Sequence, residues 1–455
     1  MEPFQLTNMA TALLAYPENL ESRAQLERDL NQTVVNPRAH KPPQIAAIAR
    51  AIKTFGFNVP LLIDGAGTVI AGHGRLAAAI KLGLAEVPTI MVEHLSDAQR
   101  KAYMIADNRL TDLSSWDDKL LGEVLRDLSI ADLDFELDAI GFSVGEIDFH
   151  IEALADAPPN DPADAPIELS AIPISREGDL WHLDKHCLLC GDALDPGAWD
   201  KLMASQSASM GFTDPPWNVR VNGHISGLGK VRHREFAMAS GEMDRDEFIG
   251  FLKAAFGLMA KHSLPASIHF TAIDWKHVPE MITAGEAAFT ELKNICVWQK
   301  PSGGMGALYR SQHELFFVWK SGRGRHRNNI ELGRNGRSRT NIWSYPSAAG
   351  FRHSEGGDLL ATHPTCKPVA LVADAILDVS KRGEIVVDPF IGSGTTIIAA
   401  ERVGRIAYGI EVDPLYVDAA IRRFEKLTGQ EVLHDDGRTF SKVAAQRAVD
   451  VGEAA

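Results

Sequence analysis

The sequence predicts an α/β protein in which a large domain with a parallel sheet follows a smaller α+β domain. Residues 383–412, "GEIVVDPFIGSGTTIIAAERVGRIAYGIEV", alternate a buried strand, a Gly-rich turn, a helix and a second strand, which is the pattern of a βαβ unit. Residues 156–166, "DAPPNDPADAP", offer little to bury and mark a linker. The chain has 455 residues, more than one hydrophobic core usually serves, so two or three domains are expected.

The elements of the small domain can be placed in order. Residues 44–56, "QIAAIARAIKTFG", have helical spacing and stop at Gly56. Residues 59–83 predict a strand, an Asp-Gly turn, a strand, a Gly-rich turn and a helix. Ser96 is a good N-cap for the helix after it. The chain then divides into an N-terminal extension (1–29), the small domain (30–115), an acidic helical segment (116–155), a linker (156–175), the large domain (176–430) and a loosely held tail (431–455).

Charge is distributed unevenly along the chain. The net charge is −14, and residues 127–175 contain 12 Asp or Glu and no Lys or Arg. Residues 320–339 hold seven Lys or Arg against one Glu. A local basic patch of this kind favours contact with phosphate. A solvated, flexible loop is the alternative.

Several classes of protein are disfavoured. No apolar run reaches the ~18 residues that a membrane span needs, and the N-terminus lacks the positive region of a signal peptide. Four cysteines in so long a chain do not form a disulfide framework, so we expect a cytoplasmic protein. The segment 182–190, "HLDKHCLLC", invites a zinc site, but Cys187 and Cys190 fall in an apolar strand, so we expect no metal.

The stretch "GFTDPPWNVR", residues 211–220, follows an apolar run that predicts a short buried strand. Proline lacks the backbone N–H that a sheet ladder needs. The residues after the strand should therefore form a rigid turn at its carboxyl end, and this turn carries Asp214, Pro215, Pro216 and Trp217.

A second turn holds Gly392 and Gly394, after a strand that ends at Asp388. Glycine lets a ligand approach the backbone closely. Glu411 ends the next strand, where an acid can hydrogen-bond ribose hydroxyls. These carboxylates suit a cationic nucleoside such as S-adenosylmethionine better than a pyrophosphate. Ligands of open parallel sheets bind where the strand order reverses, so the two sites adjoin if the strands before Asp214 and Asp388 are neighbours there.

Four motifs resemble those of amino-group DNA methyltransferases of the permuted type, in which the catalytic motif precedes the cofactor motif. They are "LLCGDAL" (188–194), "TDPPW" (213–217), "HPTCKPVAL" (363–371) and "DPFIGSGTT" (388–396). Cys366 departs from the Gln that is usual in the family. The resemblance covers residues 180–425 and implies a Rossmann-like, class I S-adenosylmethionine-dependent methyltransferase sheet. It implies catalytic roles for Asp214, Pro215, Pro216 and Trp217, and cofactor binding by Asp192, Lys367, Asp388, Phe390, Gly392, Gly394, Thr395 and Glu411.

The chemistry of an exocyclic base amine explains the Pro-Pro turn. The amine is a poor nucleophile because its lone pair is delocalised into the ring. Acceptors on its N–H bonds make the lone pair available, and the Asp214 carboxylate and Pro215 carbonyl can do this from a fixed turn. Trp217 offers a π-face to a base swung out of the duplex. A plain core position is the alternative for this tryptophan.

In the resembling family, the target-recognition region lies between the catalytic and cofactor motifs, here at about 303–350. The basic patch falls in this interval, where cations can contact phosphate and read base edges. The resemblance therefore implies DNA contacts from Arg323, Arg325, Arg327, Arg334, Arg337 and Arg339.

The small domain resembles the ParB-like domains of chromosome partitioning. The matching stretches are "NPRAH" (36–40) and "VIAGHGRLAAAIKLG" (69–83). The resemblance implies phosphate binding by Gly72, Gly74 and Arg75 at a helix N-terminus. His73 and Gly74 stand where an acid and a second arginine are common, which argues against nuclease or nucleotide-hydrolase activity. A tight turn with a surface arginine is the alternative.

We expect a site-specific DNA methyltransferase that transfers a methyl group from S-adenosyl-L-methionine to adenine N6 in double-stranded DNA. Asp before Pro-Pro favours adenine by resemblance alone. Cytosine N4 or RNA as the target, and a ParB-like DNA-binding protein with a vestigial methyltransferase domain, are the alternatives. The sequence leaves open a homodimer and a partner in restriction-modification.

Overall fold

The computed structural model describes residues 23–25, 37–154, 161–165, 169–170, 172–219, 239–301, 303, 308–330, 339–346 and 367–453. Its contacts divide the chain into two compact units, Met1–His150 and Ile151–Ala455. None of the helices in these ranges combines the length and apolar character that crossing a bilayer demands.

The first unit contains a small mixed sheet. Its strands are β1 (Arg23–Gln25), β2 (Leu61–Ile63), β3 (Val69–Ala71) and β4 (Glu86–Met91). The spatial order is β1–β4–β2–β3, with β2 parallel to β4 and antiparallel to β3. Three helices among the described residues accompany the sheet: α1 (Pro42–Phe55), α2 (His73–Leu82) and α3 (Asp97–Asp112).

The sequence signals for these elements are confirmed. Gly56 ends α1 with φ 83°, a backbone angle that favours glycine. Ser96 caps α3 in a reciprocal capping box with Gln99. The core between sheet and helices is apolar and contains Leu61, Ile63, Val69, Leu76, Ala79 and Val87.

Helices continue through the acidic segment. They are α4 (Asp118–Ile130), a short 3-10 helix (Leu137–Ile140) and α5 (Val144–Glu152). Asp117 caps α4 by accepting a hydrogen bond from the Leu120 N–H at 3.0 Å.

The second unit is built on a ten-stranded sheet. Its strands are β5 (Leu180–Leu183), β6 (His186–Cys190), β7 (Ala208–Thr213), β8 (Ser263–Ile273), β9 (Glu291–Gln299), β10 (His313–Lys320), β11 (Ile342–Ser344), β12 (Ile385–Asp388), β13 (Ile406–Glu411) and β14 (Leu433–His434). The spatial order is β11–β9–β10–β8–β7–β12–β13–β6–β5–β14. The five central strands, from β8 to β6, are parallel, whereas β10 runs antiparallel to both of its neighbours.

Helices cover both faces of this sheet, so the unit has three layers. They are α6 (Pro196–Met203), α7 (Arg245–Lys261), α8 (Val278–Ala288), α9 (Val369–Val379), α10 (Thr395–Arg402), α11 (Pro414–Thr428) and α12 (Phe440–Glu453). One buried apolar cluster contains residues of α6, α7 and α8, and the other contains residues of α9 to α12. This arrangement confirms the predicted α/β sheet.

The strand order reverses between β7 and β12. β7 continues in sequence to β8 on one side, and β12 continues to β13 on the other. The two strands pair in parallel, with Met210 opposite Val386 and Gly211 opposite Val387. Asp214 and Asp388, 174 positions apart, therefore meet at one edge of the sheet, which fulfils the condition under which the two sites adjoin.

Part of the predicted linker is packed against the second unit. Ala163 lies in the core, and Asp164 Oδ1 accepts a hydrogen bond from the Val369 N–H at 2.8 Å at the start of α9. Asp161 forms an ion pair with Arg402. Residues 156–160, 166–168 and 171 lie outside the described residues. The prediction of a free linker is thus wrong for 161–165.

The prediction of a loosely held C-terminal tail is also wrong. β14 pairs with β5 at the sheet edge, and α12 follows it. Phe440 is buried and packs edge-on against Trp181, with 5.3 Å between ring centres. Arg447 Nη2 donates to Asp179 Oδ1 at 3.0 Å. The sequence hides this packing because a few apolar residues in a polar stretch are buried by strands some 250 positions earlier.

We predict that Phe440→Ala destabilises the second unit by about 3–5 kcal/mol, because it empties a buried aromatic site. Urea unfolding followed by tryptophan fluorescence measures the change. The matched control is Leu433→Ala, in the same segment but 41% exposed, which should cost no more than about 0.5 kcal/mol. Equal urea midpoints for wild type and Phe440→Ala would contradict this packing and support the loosely held tail that the sequence predicts.

Candidate active site

The Pro-Pro turn begins directly after β7 and is fixed at both ends. Thr213 and Pro215 are buried, and Trp217 packs against the apolar cluster of α6 to α8. Asn218, with φ 53°, connects the end of the turn to residues 241–243 by hydrogen bonds. Its Nδ2 donates to the Met243 carbonyl at 2.8 Å, and its Oδ1 accepts from the Gly241 N–H at 3.0 Å. Asn218 was not predicted as a site residue. An Asn directly after a turn is the signal that could have found it.

One pocket at the switch point joins the catalytic and cofactor motifs. Its wall contains ten of the predicted residues: Asp214, Pro215, Pro216, Trp217, Lys367, Asp388, Phe390, Gly392, Thr395 and Glu411. Asp192 and Gly394 do not line it. The structure thus brings together most of the side chains that the sequence proposes for one site.

Asp214 lines this pocket, and its two carboxylate oxygens have different surroundings. Lys367 Nζ engages Oδ2, whereas Oδ1 is buried and accepts no hydrogen bond from any described residue. Burial raises the pKa of the Asp214 carboxyl above its usual value, Lys367 opposes that rise, and the charge of Glu314 adds to it. An acceptor without a donor at a pocket wall can receive the N–H of a ligand.

Glu314 is a site residue that the sequence did not reveal. It is the second residue of β10 and is buried. Its Oε2 lies 3.1 Å from Lys367 Nζ, and its Oε1 is engaged by Lys300 Nζ. Burial opposes ionisation, but the two lysines outweigh it, so the pKa of Glu314 lies below its usual value. An acid inside the apolar strand "HELFFVW" is the signal that could have found it.

The two glycines of the cofactor motif have different roles. Gly392 has φ 55°, and a Cβ there would meet no heavy atom within 4 Å, so the position opens onto the pocket. Gly394 has φ 80°, and a Cβ there would lie 2.9 Å from the Ala420 Cβ of α11. Gly394 therefore permits helix packing, and its predicted contact with the cofactor is not supported by its placement.

Two buried carboxyls shape the pocket's Gly-rich side. Asp388 Oδ2 accepts from the Thr396 hydroxyl at 2.6 Å, and its Oδ1 accepts from the Phe390 N–H at 3.1 Å. Glu411 accepts one backbone N–H on each oxygen, from Gly392 and Asp413, both at 2.9 Å. Burial raises the pKa of Asp388 and of Glu411 to about 7, although these donors oppose the rise.

Asp192 serves its own turn. Its Oδ1 accepts from the Leu194 N–H at 2.9 Å, and the neighbouring wall of the pocket is formed by Gly191 and Ala193. The carboxyl thus shapes the backbone that borders the pocket, and its direct contact with the cofactor stays a prediction.

The described arginines that follow β10 lie at the edge of the sheet opposite the active site. β10 is antiparallel to β8, so it begins beside Glu314 at the active-site edge and ends at the opposite edge. Arg323, Arg325 and Arg327 follow that far end, and Arg327 Nη2 lies 3.2 Å from Glu384, directly before β12. The antiparallel strand thus carries these arginines away from the active-site edge, and their predicted contact with DNA stays a prediction.

The position of Arg339 also does not support the DNA contact that the resemblance implies for it. It is held by Asp374 and by Asp378, whose Oδ2 lies 2.9 Å from Arg339 Nε, and its side chain is only 15% exposed. It fastens the residues before β11 to α9. Arg334 and Arg337 lie outside the described residues, as does Cys366.

The active-site edge presents a different set of exposed residues. Trp275, after β8, is 51% exposed, and Tyr309, in the β9–β10 connection, is 84% exposed. The Trp275 Nε1–H donates to the Ser311 hydroxyl at 3.1 Å, which ties these two connections together. Lys276 and Arg310 are exposed beside them.

The ParB-like turn of the first unit is tightly packed. Gly72 has φ 99°, and a Cβ there would lie 2.6 Å from Leu61 Cδ2. A Cβ on Gly74 would lie 3.1 Å from the His40 ring. Arg75 Nη2 donates to the Pro60 carbonyl at 3.2 Å. These contacts explain the residues of the turn structurally, and phosphate binding there stays a prediction.

Metal ligation receives no support in the described ranges, where no three His, Cys, Asp or Glu side chains are grouped to hold an ion. Cys187 and Cys190 are buried in β6.

A doubly wound sheet with these two turns at its switch point is the architecture of class I methyltransferases. Family comparison agrees with this class: the DNA methylase model matches residues 208–422, the ParB N-terminal domain matches 23–108, and the ParB-methyltransferase HTH domain matches 119–177. The chain therefore carries an N6/N4 DNA methylase domain, with ParB-type domains ahead of it. The helix-turn-helix assignment was not predicted; the sequence indicated only acidic helices there.

Similar proteins fall on both parts of the chain. The type II methyltransferase M2.DpnII of Streptococcus pneumoniae is 27% identical over 236 residues, which cover 49% of this chain and 84% of the relative. The ParB-like nuclease domain-containing protein YnaK of Escherichia coli K12 is 40% identical over 74 residues, which cover 16% and 85%. A solved DNA modification methylase of Thermus thermophilus, complexed with S-adenosyl-L-methionine, is 22% identical with a TM-score of 0.37, covering 53% and 93%.

Proposed function

We propose that this DNA methyltransferase transfers a methyl group from S-adenosyl-L-methionine to adenine N6 at specific sites in double-stranded DNA. The observation that carries the proposal is the buried Oδ1 of Asp214, which accepts no hydrogen bond from any described residue, in a carboxylate whose pocket is also lined by Trp217, Gly392 and Glu411. Adenine rather than cytosine N4 rests on the Asp-Pro-Pro sequence alone.

The residues of the Pro-Pro turn act on the base. Asp214 Oδ1 and the Pro215 carbonyl accept the two N–H bonds of the exocyclic amine and localise its lone pair on nitrogen. The turn is already held by β7 and Asn218, so little reorganisation accompanies the reaction. Trp217 stacks on the base once it leaves the duplex.

The described residues fit the cofactor. Gly392 leaves open space at the backbone, and Glu411 at the end of β13 can accept ribose hydroxyls in addition to its backbone donors. The bound cofactor would supply the electrophilic methyl group. Asp388, Glu411 and Asp413 make the pocket acidic, which favours a sulfonium cation.

The acidic pocket predicts a pH-dependent preference for the cation. Asp388 and Glu411, each with a pKa of about 7, lose protons between pH 6 and pH 8, so the pocket becomes more negative. The affinity for S-adenosylmethionine, relative to neutral-sulfur S-adenosylhomocysteine, should then rise by up to about tenfold per carboxyl. Calorimetry with both ligands at several pH values measures this ratio, and a flat ratio would remove the carboxyls from the sulfonium's surroundings.

The catalytic proposal predicts that Asp214→Ala loses methyl transfer by at least ~10²-fold, the scale for removing one preorganised polar group. Cofactor affinity should stay broadly unchanged. Asp200→Ala, which removes an exposed carboxylate of α6, is the control and should retain wild-type rates. Nucleoside analysis of the methylated duplex then tells N6-methyladenine from N4-methylcytosine, and an RNA substrate tests the remaining alternative. Near wild-type rates for Asp214→Ala would sink the mechanism.

We place duplex DNA across the active-site edge, because a base must reach Asp214 from that side. Trp275, Tyr309, Lys276 and Arg310 are exposed there, and cations beside aromatic side chains suit a phosphate backbone and displaced bases.

The two edges of the sheet give a matched comparison. The plot of log affinity against log salt has a negative slope, and each lost phosphate contact makes it less steep by about 0.9. Lys276→Ala combined with Arg310→Ala should make the slope shallower by up to about 1.8 on duplex DNA. Replacing Arg323, Arg325 and Arg327 together with Ala, at the opposite edge, should leave the slope unchanged. A shallower slope in the triple arginine variant, with no change in the double variant, would show that DNA binds at the basic patch instead.

A further inference from the structure

We propose that Lys367 is a positioning residue for methyl transfer: anchored by Glu314, it holds the Asp214 carboxylate by Oδ2 at the pocket wall and leaves Oδ1 to accept the amine N–H. The inference rests on the proposed function and assigns one part of its machinery.

Lys367 contacts both halves of the Pro-Pro turn. It is buried directly before Pro368 and α9, and its Nζ engages Asp214 Oδ2. The same Nζ lies 5.2 Å from the centre of the Trp217 ring, a distance at which an ammonium and an aromatic face attract each other. A single cation thus orients the carboxylate and the indole that meet the base.

Glu314 fixes the cation in turn. Its Oε2 lies 3.1 Å from Lys367 Nζ, and Lys300 holds its other oxygen. The side chains Lys300, Glu314, Lys367 and Asp214 therefore form a row of alternating charge that leads into the pocket. Four elements supply the row, so the position of Lys367 is set from several sides.

This geometry differs from the role that resemblance implies for Lys367. The ammonium is committed to two carboxylates at the Pro-Pro turn, although its side chain borders the same pocket as the Gly-rich loop. Among the described residues, the charged groups that act on Asp214 are Lys367 from the segment before α9, Glu314 on β10, Lys300 after β9 and Asp388 at the end of β12.

The row makes opposite predictions for its two central members. Lys367 favours the ionised form of Asp214, whereas Glu314 disfavours it. Only the carboxylate form accepts the amine N–H on Oδ1 with full strength, so the rate of transfer should fall below the pKa of Asp214. Loss of the Lys367 charge should move the acid limb of the pH–rate profile to higher pH. Loss of the Glu314 charge should move it to lower pH.

The experiment is single-turnover methyl transfer to duplex DNA, with saturating S-adenosylmethionine, from about pH 5.5 to about pH 9.5. Lys367→Met should be at least about tenfold slower than wild type at neutral pH, and this deficit in rate should shrink as pH rises. The midpoint of its acid limb should lie at least about one pH unit higher than that of wild type. Lys367→Arg should restore most of the wild-type limb. Glu314→Gln should move the limb the other way.

Lys300→Met is the matched control, because it makes the same chemical change one step farther from Asp214, and its shift should be smaller than that of Lys367→Met. A deficit that is constant across pH, or shifts of the same sign in Lys367→Met and Glu314→Gln, would show that Lys367 only supports the fold and would overturn the proposal.

If Lys367→Met does not fold, Lys367→Met with Glu314→Gln removes one charge of each sign. Its limb should lie between those of the single changes and above wild type, because Lys367 acts on Asp214 more strongly than Glu314 does. An unshifted limb there would also contradict the proposal. Absence of transfer by the wild type itself would instead refute the proposed function.

Discussion

The parallel pairing of β7 with β12 is the contact on which the active site depends. These strands belong to different halves of the sheet, and each delivers a turn to the same edge. Without this pairing, the Pro-Pro turn and the Gly-rich turn would be unrelated loops. The central strands are buried under helices on both faces, so the pairing is protected by most of the unit's apolar core.

The site concentrates charge where burial makes charge costly. Asp214, Glu314 and Lys367 are brought together with Lys300, and the signs alternate so that the group is close to neutral. Removing one partner from such a buried set typically costs about 3–5 kcal/mol, since an uncompensated charge is left behind. Across the pocket, Asp388 and Glu411 have no lysine among their described partners, and burial shifts their pKa upwards instead. The pocket therefore has one neutralised side and one acidic side, which matches a base amine and a cationic ligand respectively.

The antiparallel strand β10 divides the basic and aromatic residues between two edges. Its first residues support Asp214, and its last residues lead into the arginine-rich loop on the far side. Arginines that are close in sequence to the site are thus distant from it in space. Arg339, in the same basic stretch, is neutralised by two aspartates of α9 and has a structural role. Charge counted along a sequence indicates a binding surface only after the strand directions are known.

The sequence by itself determined the local features of this protein. Proline and glycine chemistry placed the two turns, the βαβ pattern predicted the sheet, and the caps at Gly56 and Ser96 fixed helix ends, because these depend on neighbours within a few residues. Tertiary structure alone decided which distant residues meet. Glu314 and Asn218 joined the site, Gly394 became a packing position, and the C-terminal segment was secured by Trp181. Each of these outcomes follows from strand order and direction, which bring together residues that are 23 to 259 positions apart and that no local pattern connects.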